Sequence, residues 1–133
     1  MRYIGIDYGS KRVGVAFSDE LATMGFPHAI LQNTPALADM VVVLIKEHSV
    51  DAMVMGESKD FHGVENKVAH DARVFSEEIS SRTGVHVFFE SEIFTTQEAR
   101  RFPDGKRRAD HRAVDAEAAA LILTSYLSHH DNN

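Results

Sequence analysis

A chain of 133 residues, 44% hydrophobic and 26% charged, suits one globular domain spanning 1–133, with no apolar run long enough for a membrane span and no signal-peptide pattern at its start. The absence of cysteine excludes disulfides and thiolate sites, leaving carboxylate, imidazole and hydroxyl chemistry, and a cytoplasmic location is the default expectation. A net charge of -6 argues against a general nucleic-acid coat protein, yet six of the fourteen cations (Arg100, Arg101, Lys106, Arg107, Arg108 and Arg112) form a local basic arm on an acidic body.

Tyr3-Ile4-Gly5-Ile6 reads as a buried strand ending on Asp7. Tyr8-Gly9-Ser10 turns the chain, and Arg12 to Phe17 is a second strand in which Val13, Val15 and Phe17 alternate. Ala22 to Leu31 is expected as a short edge strand, a setting that tolerates Pro27. Thr34 and Pro35 read as N-cap and first helical residue, with Leu37, Val41, Leu44 and Ile45 following at helical spacing. Asp51 to Gly56 is a short buried strand, followed by a polar loop through Gly63. Val64, Val68, Ala72, Phe75 and Ile79 mark a long amphipathic helix that Gly84 stops. Val85 to Phe89 is another strand, leading into Glu90-Ser91-Glu92. Thr95 with Glu98 forms a capping-box pattern for a short helix, 102–109 is a loop, and Asp110 caps a last helix centred on Ala118–Leu123. Three strands in hairpin order, then helix, strand, helix, strand and helix, predict a mixed five-stranded α/β sheet with helices on its faces.

Four acids stand where chemistry is expected. Asp7 ends the first strand, Glu57 the fourth, Glu92 lies just past the fifth, and Asp115 sits near the start of the last helix. Carboxyl ends of neighbouring parallel strands converge on one edge of an α/β sheet. Carboxylates gathered there repel one another, so they imply a bound cation. Mg²⁺ or Mn²⁺ fits, because both prefer hard oxygen ligands. Two such ions about 4 Å apart stabilise the attacking and leaving oxygens of phosphodiester hydrolysis. The bland alternatives stay open at each acid. Asp7 also serves as a turn cap, Glu57 as a loop residue and Asp115 as a partner of the helix dipole. Alternation puts Glu90 and Glu92 on the same side and does not separate them. Asp115 shares its helical side with Ala119 and Ile122, so it is expected to face inward.

Around the acids, Lys11 and Arg12 are candidates to neutralise a phosphate, with solvated turn charges as the alternative. Thr95 and Thr96 offer hydroxyls and free amides at a helix start. Arg107 and Arg108, within the basic arm, are candidates to track a nucleic-acid backbone. His111, one turn before Asp115, is a candidate ligand, proton donor to the leaving oxygen or phosphate contact, or an exposed histidine with no role.

The runs GIDYGSKRVGVAFSD at Gly5–Asp19, VMGESKDFHG at Val54–Gly63, SEIFTTQEAR at Ser91–Arg100 and VDAEAAALILTSYL at Val114–Leu127 carry a resemblance that spans nearly the whole chain. The sequence resembles the YqgF family, also called RuvX, a branch of the ribonuclease H-like superfamily related to Holliday junction resolvases. The resemblance implies a ribonuclease H-like fold and a metal-dependent nuclease, with the family's acids falling on Asp7, Glu92 and Asp115. It also implies precursor ribosomal RNA as partner, matured at the 5′ end of the 16S species. The chain departs from the family pattern at Gly56-Glu57-Ser58, where Gly-Leu-Pro is usual, and at Ser91-Glu92-Ile93, where Asp-Glu-Arg is usual. Glu57 is therefore a candidate fourth ligand that rearranges the acidic set. Alternative functions are a resolvase of branched DNA, which needs two opposed sites on a dimer, and a weakened enzyme that binds RNA in ribosome maturation. A monomer or weak homodimer is expected for the RNA reading. A nucleotide-binding module of the actin-like kind needs two such domains, and this chain supplies one.

Overall fold

The computed structural model describes residues 1–57, 67–91 and 111–130. Within them run β1 (Tyr3–Tyr8), β2 (Arg12–Ser18), β3 (Gly25–Gln32), α1 (Leu37–Glu47), β4 (Ala52–Glu57), α2 (Lys67–Thr83), β5 (His86–Ser91) and α3 (His111–His130). The strands make one sheet in the order β3-β2-β1-β4-β5. β1 pairs antiparallel with β2, and β2 with β3, whereas β1, β4 and β5 run parallel.

The period-two pattern of the first two strands explains the layering. Ile4, Ile6, Val13, Val15 and Phe17, with Met53 and Met55 of β4, form one face of the sheet. α1 covers that face through Leu37, Val41, Val42 and Ile45, and α2 through Ala72, Phe75 and Ile79. The opposite face carries small side chains at its centre, with the rings of Tyr3 and Phe88 packed on Tyr126. It presents Ala16 and Val54, and α3 covers it with Ala119, Ala120, Ile122, Leu123, Tyr126 and Leu127. Small residues on both sides let the helix approach backbone closely. A Cβ built on Gly5 would lie 2.9 Å from the Ala119 carbonyl oxygen, and one on Gly25 2.8 Å from that of Ala120.

The structure differs from expectation at several boundaries: β2 extends to Ser18, β4 runs Ala52–Glu57 instead of Asp51–Gly56, and β5 His86–Ser91 instead of Val85–Phe89. β1 runs one residue past Asp7, because Tyr8 still pairs with Val13. β3 starts at Gly25 instead of Ala22. The Asp19 carboxylate accepts from the backbone N–H and hydroxyl of Thr23 and holds the preceding residues in a turn, with Ala22 at φ 56°. α1 starts at Leu37 instead of Pro35. Thr34 shapes a turn ahead of the helix: its hydroxyl accepts from the Ala36 N–H at 3.2 Å and its carbonyl from the Leu37 N–H at 2.9 Å. At the far end of α2, Gly84 takes φ 85° and donates its N–H to the Ser80 carbonyl at 2.8 Å, the left-handed stop expected of it. The expected start of that helix at Val64, the short helix at Thr95 and the loop over 102–109 lie outside the described residues.

Candidate active site

The three parallel strands end side by side at Tyr8, Glu57 and Ser91, which gives the sheet one carboxyl edge. Asp7 stands at that edge on the central strand. It belongs to the same face as Gly5, toward α3, and its side chain is half-buried. Its neighbour across β2 is Gly14. On the β4 side the parallel register pairs Gly5 with Val54 and Ile6 with Met55, so the next step brings Asp7 level with Gly56. Its neighbours on both flanking strands are glycines, which bring no Cβ beside the carboxylate.

α3 runs against β1. Tyr126 packs on Tyr3 with ring centroids 6.1 Å apart, and Ala119 and Leu123 lie over Gly5. The progression moves back along the helix as it moves forward along the strand. Asp115 lies one turn before Ala119 in α3. Ala119 and Ile122, expected to share its side, are fully buried.

Glu57 is the last residue of β4 and pairs with Ser91 of β5. His111 is the first residue of α3, one turn before Asp115. Glu92, Thr95, Thr96, Arg107 and Arg108 lie outside the described residues. Among the described residues no group of three or more His, Asp or Glu side chains converges to hold a metal ion. Of the candidate acids, only Asp7 has a described side chain.

The turn between β1 and β2 is held firmly. Asn33 donates its side-chain amide to the Gly9 carbonyl at 2.7 Å and its backbone N–H to the Lys11 carbonyl at 2.9 Å. Lys11 is exposed on this lip and Arg12 half-buried. Sequence reasoning missed the role of Asn33, although its place directly before a Thr-Pro turn was a signal for backbone bonding. It also left Glu90 and Glu92 unresolved. The structure gives Glu90 a structural partner: Ser125 of α3 donates its hydroxyl to Glu90 Oε2 at 2.6 Å, and His129 Nε2 lies 3.8 Å from the same oxygen.

The strand order and the mixed orientation define the ribonuclease H-like fold. Two solved structures share this fold. Thermus thermophilus RuvC in complex with a Holliday junction substrate superimposes with TM-score 0.63 at 15% identity, covering 97% of this chain and 95% of that one. The fowlpox virus resolvase in complex with Holliday junction DNA gives 0.61 at 13% identity, covering 97% and 98%. The chain belongs to the family described as "RuvX: Holliday junction resolvase", whose model matches residues 1–129, and it is a nuclease. Relatives named "Putative pre-16S rRNA nuclease" include a Pseudomonas syringae pv. tomato protein 35% identical over 96% of this chain and 91% of its own length. An Anaeromyxobacter protein of the same name is 34% identical over 96% of both chains.

Proposed function

We propose that the protein is a divalent-metal-dependent endonuclease of structured RNA, acting in the cytoplasm on the 5′ side of precursor 16S ribosomal RNA, as a monomer or weak homodimer. The position of Asp7 carries the reading: a half-buried carboxylate between Gly14 and Gly56 at the carboxyl edge of the central strand. A hard-oxygen donor at a sheet edge, flanked by glycines, fits a hydrated Mg²⁺ or Mn²⁺ ion. Asp7, Glu92 and Asp115 would hold it, and when bound the metal supplies charge stabilisation at the scissile phosphate and activation of water. Lys11 and Arg12 on the neighbouring lip balance the phosphate charge, Thr95 and Thr96 donate to its oxygens, and Arg107 and Arg108 follow the backbone. His111, one turn before Asp115, hands a proton to the leaving oxygen. Glu57, at the end of the neighbouring parallel strand, stands as the candidate fourth ligand.

The names of the curated relatives favour RNA, and the family description favours branched DNA as the second reading. Cleavage of precursor 16S RNA and of a four-way DNA junction, side by side with Mn²⁺ or with EDTA, separates them. We expect cleavage of the RNA, its loss in EDTA, and a fall of roughly a hundredfold or more for Asp7→Asn. Glu57→Gln should lower the rate as well; unchanged cleavage would remove Glu57 from the ligand set. Junction cleavage with intact RNA would overturn the RNA assignment.

A further inference from the structure

A second feature shares the carboxyl edge but lies on the opposite face of the sheet. An open cleft of about 440 Å³ runs between the start of α1 and the first half of α2, lined among others by Tyr8, Asn33, His70, Asp71, Phe75 and Glu78. Its volume lies in the range of small-ligand sites, roughly 300–1,000 Å³. Tyr8 directly follows Asp7 in β1, so adjacent residues of one strand serve the acid edge on one face and the cleft on the other. The Gly9–Lys11 turn, held by Asn33, is the lip between them.

The lining selects its ligand. Tyr8 packs on Phe75 with ring centroids 5.4 Å apart, giving an aromatic wall. Asp71 lies one turn before Phe75 on α2, on the same side and nearer the strand ends. Lys67 donates to Asp71 Oδ2 at 3.0 Å in an exposed pair, which leaves Oδ1 outside it. Glu78, two turns further on, is likewise held by Arg82 at 3.2 Å. Each carboxylate is paired with one cation, so the cleft offers a phosphate no excess positive charge, whereas the lip carries Lys11 and Arg12. A flat ring that carries N–H donors is what an aromatic wall and a carboxylate accept together.

We propose that this cleft receives one unpaired guanine of the substrate, next to the phosphate held at the acid edge, with Asp71 accepting from its N1–H and N2 amino group and Tyr8 packing against the ring. Guanine is favoured because it places two donors side by side, as a carboxylate requires. The cleft is thus a specificity subsite, and the proposal rests on the reading of the protein as an enzyme of RNA.

Nucleoside and oligonucleotide binding in EDTA tests it without any cleavage, so its outcome is independent of whether the acids hold a metal. Titration with guanosine should move the backbone amide resonances of Tyr8, His70, Asp71 and Val74, and inosine, which lacks the amino group, should bind roughly tenfold more weakly. A short unstructured RNA with one guanine should show the same ratio against its inosine counterpart. Asp71→Asn, with an otherwise unchanged spectrum, should abolish the preference in both titrations, and Tyr8→Leu should weaken both ligands alike. Equal binding of guanosine and inosine, resonance shifts away from the cleft, or a preference that survives Asp71→Asn would overturn the proposal. A preference seen with the free nucleoside and absent from the RNA would overturn it too, because the subsite would then take a free nucleotide instead of a substrate base.

Discussion

Asp7 and Gly5 point to the same face of β1 and fail differently when replaced. Asp7→Asn keeps its shape and is expected to lose chemistry alone. Gly5→Ala puts a Cβ 2.9 Å from both the Ala119 carbonyl and the Leu123 Cβ, and the backbone contact cannot swing aside. We expect a loss of about 1–3 kcal/mol in urea unfolding, with nuclease activity falling as well because α3 is displaced. His28 offers a pH test. Its pKa is lowered from the ordinary histidine value of 6.5 by burial first and by repulsion from His48 second. Both rings pack on Phe17, at centroid distances of 4.9 and 4.2 Å. A folded-state pKa below the unfolded one means the unfolded chain binds the proton more readily. The contribution is therefore full above about pH 6.5 and is lost as pH falls through the lower folded value. Thermal melts from pH 8 to 5 should fall less steeply for His28→Gln than for wild type. Asp7 was legible as an acid where an apolar run stops. Choosing between Glu90 and Glu92 was not, since the bond that occupies Glu90 comes from Ser125, 35 residues away.

Among the elements, the α3–β5 contact is the most exposed to a single substitution. Ser125→Ala leaves the half-buried Glu90 carboxylate without the 2.6 Å hydroxyl donor. A cost of about 1–2 kcal/mol is expected, and a double-mutant cycle with Glu90→Gln should recover much of it. The core strands were readable because Ile4, Ile6, Val13 and Val15 alternate without interruption. The start of α1 was not, because Thr34-Pro35 suits a tight turn as well as a helix cap, and a turn resolved the choice. β3 was expected three residues early for a similar reason: the Asp19 carboxylate captures Thr23 through a side-chain bond that alternation does not register.

At the level of the molecule, element types and their order were legible, but the sheet order was not. Which strand neighbours β1 depends on crossovers whose partners are 40 or more residues apart, as in the pairing of Ile4 with Met53. A salt titration addresses the charge pattern. If Arg107 and Arg108 each neutralise one phosphate, replacing both by Ala should lower the slope of log affinity against log salt by roughly 1.4 on single-stranded RNA, while one-base changes in the RNA leave the slope unaltered.

The β3 margin has a further consequence. The register between β2 and β3 slips after Val15, so that Ala16 faces Pro27 and Val15 faces Ala29. His28 is the surplus residue of this bulge, and Pro27 brings no N–H to the outer rim. A bent rim that lacks a donor is a poor template for an incoming strand, so self-templated fibre growth is discouraged along this side. Among the described strands, the other margin of the sheet is β5, whose six residues contain neither proline nor a register slip.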